Sequence, residues 1–335
     1  MERLRASLAD RYRLERKLGQ GGMATVYLAQ DLKHDRRVAI KVLRPEVAAA
    51  LGAERFVREI RTIAVLQHPH ILGLLDSGEV EGTAFYVMPF IDGESLRERL
   101  SREGELPVRD VVRMLAQVAD ALAYAHRHGV VHRDIKPDNV LLAERHAMVA
   151  DFGVAKALTQ AAISDRLTDT GMSVGTPIYM APEQAAADPQ ADHRVDLYAL
   201  GVLGYEMLTG SPPFQGMSAQ QVLAAKVTQR PESVLLRRPA VPPGLGDVIM
   251  KCLEPRPADR YQSADEVLAQ LETMQTPGGG TTATGARSPD RKFRRPIAIF
   301  VGAVVVVALG LAAVAVLRRG MFVVTTSNAV PVTSE

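Results

Sequence analysis

The run VHRDIKPDNVLL, residues 131–142, restricts the fold of this chain more than any other stretch. Its polar side chains are crowded between an apolar helical pattern that stops at Gly129 and an apolar strand-like run that starts at Val140. Polar groups in such company are costly unless they are paired or used. Asp134 can accept a proton from an attacking hydroxyl, and Lys136 can neutralise charge on a phosphoryl group. Asn139, five residues after Asp134, can offer a metal its side-chain oxygen. Seventeen residues past Asp134 stands Asp151, in VADFGVAK, after a second apolar strand pattern and just before Gly153. An aspartate and an asparagine are hard oxygen ligands that need no Cys or His beside them, which suits Mg²⁺ bridging phosphates.

A second cluster lies upstream. GQGGMATV, residues 19–26, is an imperfect G-x-G-x-x-G run with Ala24 in the last glycine position. It falls between two strand patterns, which disfavours a dinucleotide-binding turn, and no G-K-[ST] follows, which excludes a P-loop. Fifteen residues after Val26 comes Lys41, in VAIK on an apolar strand, where a lysine can reach phosphate oxygens as a point charge. Glu59, eighteen residues further on, is placed to pair with Lys41 and direct it towards α- and β-phosphates.

Between these clusters the texture changes from β to α. RYRLERKLG, ATVYLAQD, RRVAIKVL, ILGLLDSGEV and TAFYVMPFI read as short strands. AERFVREIRTIAVL interrupts them with Phe56, Ile60, Ile63 and Ala64 at helical spacing. After residue 91 helices dominate, beginning with VRDVVRMLAQVADALAYAHRHG, whose stripe runs through Val111, Leu115, Val118 and Leu122.

At this point the chain resembles a bacterial Hanks-type serine/threonine protein kinase with a membrane anchor, over about residues 12–272. The ordered set of motifs is far more specific than any member of it. The resemblance implies an α+β, bilobal protein-kinase fold: a β-rich N-lobe over 12–91 and a helical C-lobe over 92–275. It implies a nucleotide loop of Leu18, Gly19, Gln20, Gly21, Gly22, Met23, Ala24 and Val26, and an adenine sandwich of Val26, Ala39 and Leu141. Met88 would be the gatekeeper, with Pro89, Phe90 and Ile91 as the hinge. Pro89 departs from the common glutamate, but the first hinge position uses only its carbonyl, so the C=O of Pro89 and N–H of Ile91 still serve adenine. Tyr198, in place of a common tryptophan, is a second departure. Lys41 and Glu59 match the active-state ion pair, and Asp134 matches the catalytic base with Lys136 beside it. Asn139 and Asp151 match the metal ligands, and ATP with Mg²⁺, or Mn²⁺, is the implied cofactor set. Glu183 of the APE motif would pair with Arg260, and Asp196 would brace the catalytic loop. Ile63, Leu74, His132, Phe152 and Asp196 would form a spine. Lys136 and Thr176 carry the serine/threonine preference.

That role makes His132 a packing residue, and the spacing of His126, His128 and His132 fits no common zinc pattern. Thr168, Thr170 and Ser173 lie between the DFG and APE motifs, and Arg133 precedes the catalytic base. A phosphate of charge near −2 on Thr168 or Thr170 could order that segment against Arg133. A scaffold of the same fold without transfer activity is disfavoured by the intact set Lys41, Glu59, Asp134, Asn139 and Asp151. A small-molecule phosphotransferase is disfavoured by the complete GTPIYMAPE segment, residues 175–183, which in protein kinases forms the peptide platform.

Composition matters most at the C-terminal end. The net charge of +2 conceals +5 over residues 286–335, which leaves the first 285 residues at about −3. A basic tail on an acidic body argues against nucleic acid as a partner and for a membrane surface. Residues 276–296 read as a flexible basic linker, and 297–317 are 21 consecutive apolar or glycine residues. As a helix they would span roughly 32 Å, enough to cross a bilayer. Four basic residues on the N-terminal flank against two on the other orient the large N-terminal part to the cytoplasm, in a single-pass arrangement with 318–335 outside. Gly302, Ala303, Gly310 and Ala313 offer a weak small-residue face, so a homodimer joins protein substrates in the partner expectations. The start MERLRASLADRYRLERKLG has no apolar h-region, and the single Cys252 suits a reducing compartment.

Overall fold

The computed structural model describes residues 2–152, apart from Gly52 and Glu81, and residues 177–275. The linker 276–296, the apolar segment 297–317, the tail 318–335 and the candidate phosphorylation sites Thr168 and Thr170 lie outside the described residues. Among the described residues no helix is long and apolar enough to cross a membrane.

A helix, α1 (Glu2–Leu8), comes first and packs Leu8 against Tyr12 and Ala29. The ordered body thus begins before residue 12; one buried leucine anchors an otherwise charged stretch. Strands β1 (Tyr12–Gln20), β2 (Ala24–Asp31), β3 (Arg36–Leu43), β4 (Asp76–Val80) and β5 (Thr83–Pro89) follow. They form an antiparallel sheet in the order β1-β2-β3-β5-β4. Helices α2 (Pro45–Leu51) and α3 (Ala53–Ala64) interrupt them.

The period-2 alternation of β3 and β5 sorts their side chains between two cores. Val38, Ile40, Val42, Phe85 and Val87 join α1 on one face. Ala39, Leu43, Tyr86 and Met88 join Phe56 and Ile60 of α3 on the other. Lys41 and Tyr86 are cross-strand partners in this register, so both belong to the second face.

The expected strand 71–80 is corrected to β4 alone. Residues 71 and 72 are used elsewhere: Ile71 bridges Val149, and the Leu72 N–H donates to the Val149 carbonyl at 2.9 Å, while the Leu75 N–H still donates to the Val87 carbonyl of β5 at 2.8 Å.

The C-lobe comprises β6 (Glu94–Ser95), α4 (Leu96–Glu103), α5 (Val108–Arg127), β7 (Val140–Ala143), β8 (His146–Val149), α6 (Pro182–Ala185) and α7 (Arg194–Thr209). It continues with α8 (Ala219–Thr228), α9 (Val234–Arg237), α10 (Pro243–Cys252) and α11 (Ala264–Gln275). Strands β6, β7 and β8 form a small sheet in that order. Helix α4 starts with a capping box in which Ser95 and Glu98 satisfy each other's backbone N–H groups. Helix α5 ends as the sequence predicts, with Gly129 at φ 73°. Helix α7 is buried on all sides, with every residue from Val195 to Leu208 covered, Asp196 and Glu206 included. Gly201 and Gly204 make that possible: a Cβ at Gly201 would lie 2.8 Å from the Cβ of Cys252, and one at Gly204 3.0 Å from Leu115.

Candidate active site

Between the sheet and the helices lies a cleft of about 340 Å³. Leu18, Gly19, Val26, Ala39, Lys41, Met88, Pro89, Ile91, Leu141 and Asp151 line it, together with Leu72, Phe90 and Ala150. The glycine run forms the β1–β2 hairpin, in which Gly19 faces Val26 and the Gly21 N–H donates to the Ala24 carbonyl at 2.9 Å. Leu141 and Val26 pack against the cluster that holds Ala39 and Met88, so apolar side chains close on a flat slot from both lobes.

Away from the cleft surface, Asp196 organises the loop that follows α5. It is fully buried, and its carboxylate accepts from the His132 N–H (2.8 Å), the Arg133 N–H (2.7 Å) and His126 Nε2 (2.8 Å). Burial alone would raise its pKa, but the hydrogen bond and charge of His126, the charge of His132 and the Arg133 N–H outweigh it and hold it below the ordinary value. Arg133 sits at φ 68°, a strained backbone position that these bonds maintain. His132 has no exposed surface; its Nε2 bonds the Ala150 carbonyl, its Nδ1 accepts from the Asp134 N–H, and its ring meets Phe152 edge-on at 4.6 Å. Of the expected spine, Ile63 and Phe152 share the C-lobe core, while Leu74 packs with the N-lobe cluster.

Asp134 is half-buried in the same loop and, like Lys136 and Asn139, is not among the residues that line the cleft. Its Oδ2 accepts from Lys136 Nζ at 2.8 Å and from Asn139 Nδ2 at 3.0 Å. Asn139 also donates to the Asp134 carbonyl at 2.8 Å, so its amide nitrogen is committed and its Oδ1 is the atom suited to a cation. Two donors therefore fix the orientation of the Asp134 carboxylate.

Asp151 is one of four carboxylates that line the cleft, with Glu94, Glu98 and Asp138, and sits at φ 65°. Its Oδ2 receives Lys41 Nζ at 2.5 Å and its Oδ1 receives the Tyr86 hydroxyl at 2.7 Å. Burial would raise its pKa, but the charge and hydrogen bond of Lys41 and the bond from Tyr86 overcome this and lower it. Lys41 therefore pairs with Asp151 in this structure. A buried carboxylate needs a counter-charge, and Lys41 is the cation in reach. Glu59 lies on α3, and its side chain is outside the described residues. Sequence reasoning missed Tyr86: in TAFYVMPFI it reads as strand filler, and only the β3–β5 register puts it beside Lys41. The ammonium already seated on Asp151 shows that this oxygen pair attracts positive charge. With Asn139 Oδ1 it makes an oxygen donor set that fits a divalent cation.

Towards the rear, Glu183 and Arg260 form the expected pair, with bonds of 2.6 and 2.8 Å. Tyr179 is fixed by Arg97 at 2.5 Å and by a short bond to the buried Glu206.

The family model for the protein kinase domain matches residues 12–271. The chain belongs to the protein kinase family. Serine/threonine-protein kinase PknB of Mycolicibacterium smegmatis is 40% identical over 270 residues, which is 79% of this chain and 43% of that protein. The protein of the same name from Mycobacterium tuberculosis is 39% identical over the same span, with the same coverage. Serine/threonine-protein kinase pkn3 of Myxococcus xanthus is 39% identical over 277 residues, 80% of this chain and 50% of that one. This kinase thus spans half or less of the length of these relatives. Its glycine-loop, lysine, catalytic-loop and DFG residues fall inside the matched region.

Proposed function

We propose that this protein is a serine/threonine protein kinase that moves the γ-phosphoryl group of ATP to Ser or Thr hydroxyls of proteins. The observation that carries the reading is the arrangement around Asp134, whose Oδ2 is bonded to both Lys136 and Asn139. The adenine would lie in the slot between Val26, Ala39 and Leu141, and the hairpin 19–26 would cover the phosphates. Asp134 accepts the proton of the attacking hydroxyl as its oxygen closes on the γ-phosphorus, the bond from that phosphorus to the β–γ bridging oxygen breaks, and ADP leaves. Lys136, 2.8 Å from the same carboxylate, faces the charge that builds on the transferring group. Lys41 holds the phosphates as a point charge once it shares its contact with Asp151. A divalent cation, Mg²⁺ or Mn²⁺, held by Asn139 and Asp151 would neutralise phosphate charge. Positioning and charge neutralisation do most of the work.

The test is incorporation of labelled phosphate from ATP into a generic basic protein by the full chain, beside Asp134→Asn and Lys41→Met. Both variants should lose nearly all incorporation; equal incorporation by all three overturns the assignment.

Two further parts of the proposal concern regulation and place. Arg133 Nε is buried and has no hydrogen-bond partner among the described residues, which supports phosphorylation of Thr168 or Thr170 as a way to order the segment before Pro177. Mass spectrometry of protein made with ATP should find phosphate at one of them. The apolar run 297–317 with its basic flanks supports a single-pass anchor with the kinase domain in the cytoplasm. Deleting 297–317 should release the protein from the membrane fraction.

A further inference from the structure

Lys226 is a buried cation whose ammonium is paired with no carboxylate among the described residues. It lies in α8, has 2% of its surface exposed, and donates to three main-chain oxygens. These are the carbonyls of Pro177 at 2.8 Å, Ile178 at 2.7 Å and Met180 at 2.5 Å. An ammonium has three N–H donors, so all of its hydrogen-bonding capacity goes to one four-residue stretch. The ring of Tyr198 lies 5.1 Å from Nζ and supplies the apolar wall of the site.

This is an expensive way to fill space. Burial, followed by the nearby Arg260 guanidinium, pushes the Lys226 pKa down to about 7, although the charge of Glu183 acts the other way. A leucine or methionine would fill the same volume without that cost. What Lys226 adds is a fixed course for the main chain of 177–180. The same stretch is held from its other side, where the Tyr179 side chain reaches Arg97 and Glu206. Four residues are thus gripped by their carbonyl oxygens on one side and by a phenol on the other. They lead directly into Ala181-Pro182-Glu183, which Arg260 secures. None of these contacts touches the nucleotide cleft, whose lining includes neither Lys226 nor residues 177–180.

We propose that Lys226 is a positioning residue for the protein substrate: by holding the carbonyls of 177–180 it sets the shape of the surface on which the phosphate-accepting segment lies. The inference rests on the kinase reading above, in which residues 177–180 belong to the peptide platform. It assigns to α8 a part in acceptor binding and none in ATP binding.

The experiment compares the full chain with Lys226→Met and Lys226→Gln, using ATP with Mg²⁺. For each, the KM for the generic basic protein, the KM for ATP and the hydrolysis of ATP with water as acceptor are measured. Lys226→Met should raise the protein KM roughly tenfold or more, with the ATP KM and the hydrolysis rate within about twofold of the original. Lys226→Gln, which keeps two donors without the charge, should fall between the two. A role in the fold alone would depress hydrolysis and transfer together. Parallel loss of both activities, an unchanged protein KM, or loss of cooperative melting in both variants would each overturn the proposal. Failure of the kinase reading would look different, because the unsubstituted chain would then transfer no phosphate to protein at all.

Discussion

Replacing Arg260 with methionine should be among the most damaging single changes outside the cleft. The guanidinium is fully buried and bonds both oxygens of Glu183, at 2.6 and 2.8 Å. It also donates to the carbonyls of Glu254 (2.7 Å), Pro255 (2.9 Å) and Arg194 (3.0 Å), and lies 5.0 Å from the Tyr198 ring. Methionine replaces the stem but none of the five bonds, and it strands a Glu183 carboxylate that is only 9% exposed. Removing one partner of a buried pair costs about 3–5 kcal/mol. In a domain of this size each kcal/mol moves the melting temperature by roughly 2–4 °C, so Arg260→Met should melt roughly 6–20 °C lower. Glu183→Met should be similarly harmful, because it strands the cation. The double variant strands neither charge, so it should be more stable than the sum of the two losses by at least ~1 kcal/mol. Differential scanning fluorimetry of the full chain gives all four values. A fall below about 3 °C for Arg260→Met, or strict additivity in the double variant, would refute the argument that Arg260 is held by Glu183 rather than by the carbonyls alone.

Three other outcomes follow from the geometry. A Cβ at Gly21 would meet only the Ala24 carbonyl, at 3.9 Å, so Gly21→Val should leave the melting temperature unchanged while raising the KM for ATP and lowering kcat; an unchanged ATP dependence would exclude the loop from the phosphates. Asp196 has its pKa lowered in the fold from an ordinary 3.8, so its stabilising effect is complete above that pH and fades as the pH falls through its folded value. Asp196→Asn should therefore melt lower at pH 7, with the gap from the original chain closing under acid; a gap constant from pH 7 to pH 2 would contradict this. Burial pushes the Cys252 thiol up to about 12, so it should resist alkylation at pH 8 in the native chain and react on unfolding in guanidinium.

The sequence carries the site unevenly. The alternation in RRVAIKVL and TAFYVMP is enough to divide β3 and β5 between two cores, because a strand has only two faces. The brace from Asp196 to the catalytic loop was readable only through the resemblance to the kinase family, which matches DLYALG to that role. Three features were out of reach for one shared reason, that each partner lies far along the chain. Lys41 meets Asp151, 110 residues away, and Tyr86 reaches the same carboxylate only through the β3–β5 register. ILGLL has the composition of a strand whichever partner it takes, and Val149 claims it. Lys226, within AQQVLAAKVT, reads as a solvated helix lysine; nothing local announces that the main chain 46–49 residues upstream lies over it.

The grip on Val149 has a mechanical consequence. Its N–H donates to the His70 carbonyl and its carbonyl accepts from the Leu72 N–H, both at 2.9 Å, so one residue of the C-lobe is clasped by the strap entering β4. Asp151 follows two residues later, and Ala150 between them is tied to the Asn139 carbonyl at 2.9 Å. If one lobe turns against the other about this clasp, each atom travels in proportion to its distance from the axle. Asp151 and Asn139 sit on a short arm and barely shift, while the glycine hairpin sits on a long one and sweeps widely. The cleft can then open without parting Asp151 from Asn139.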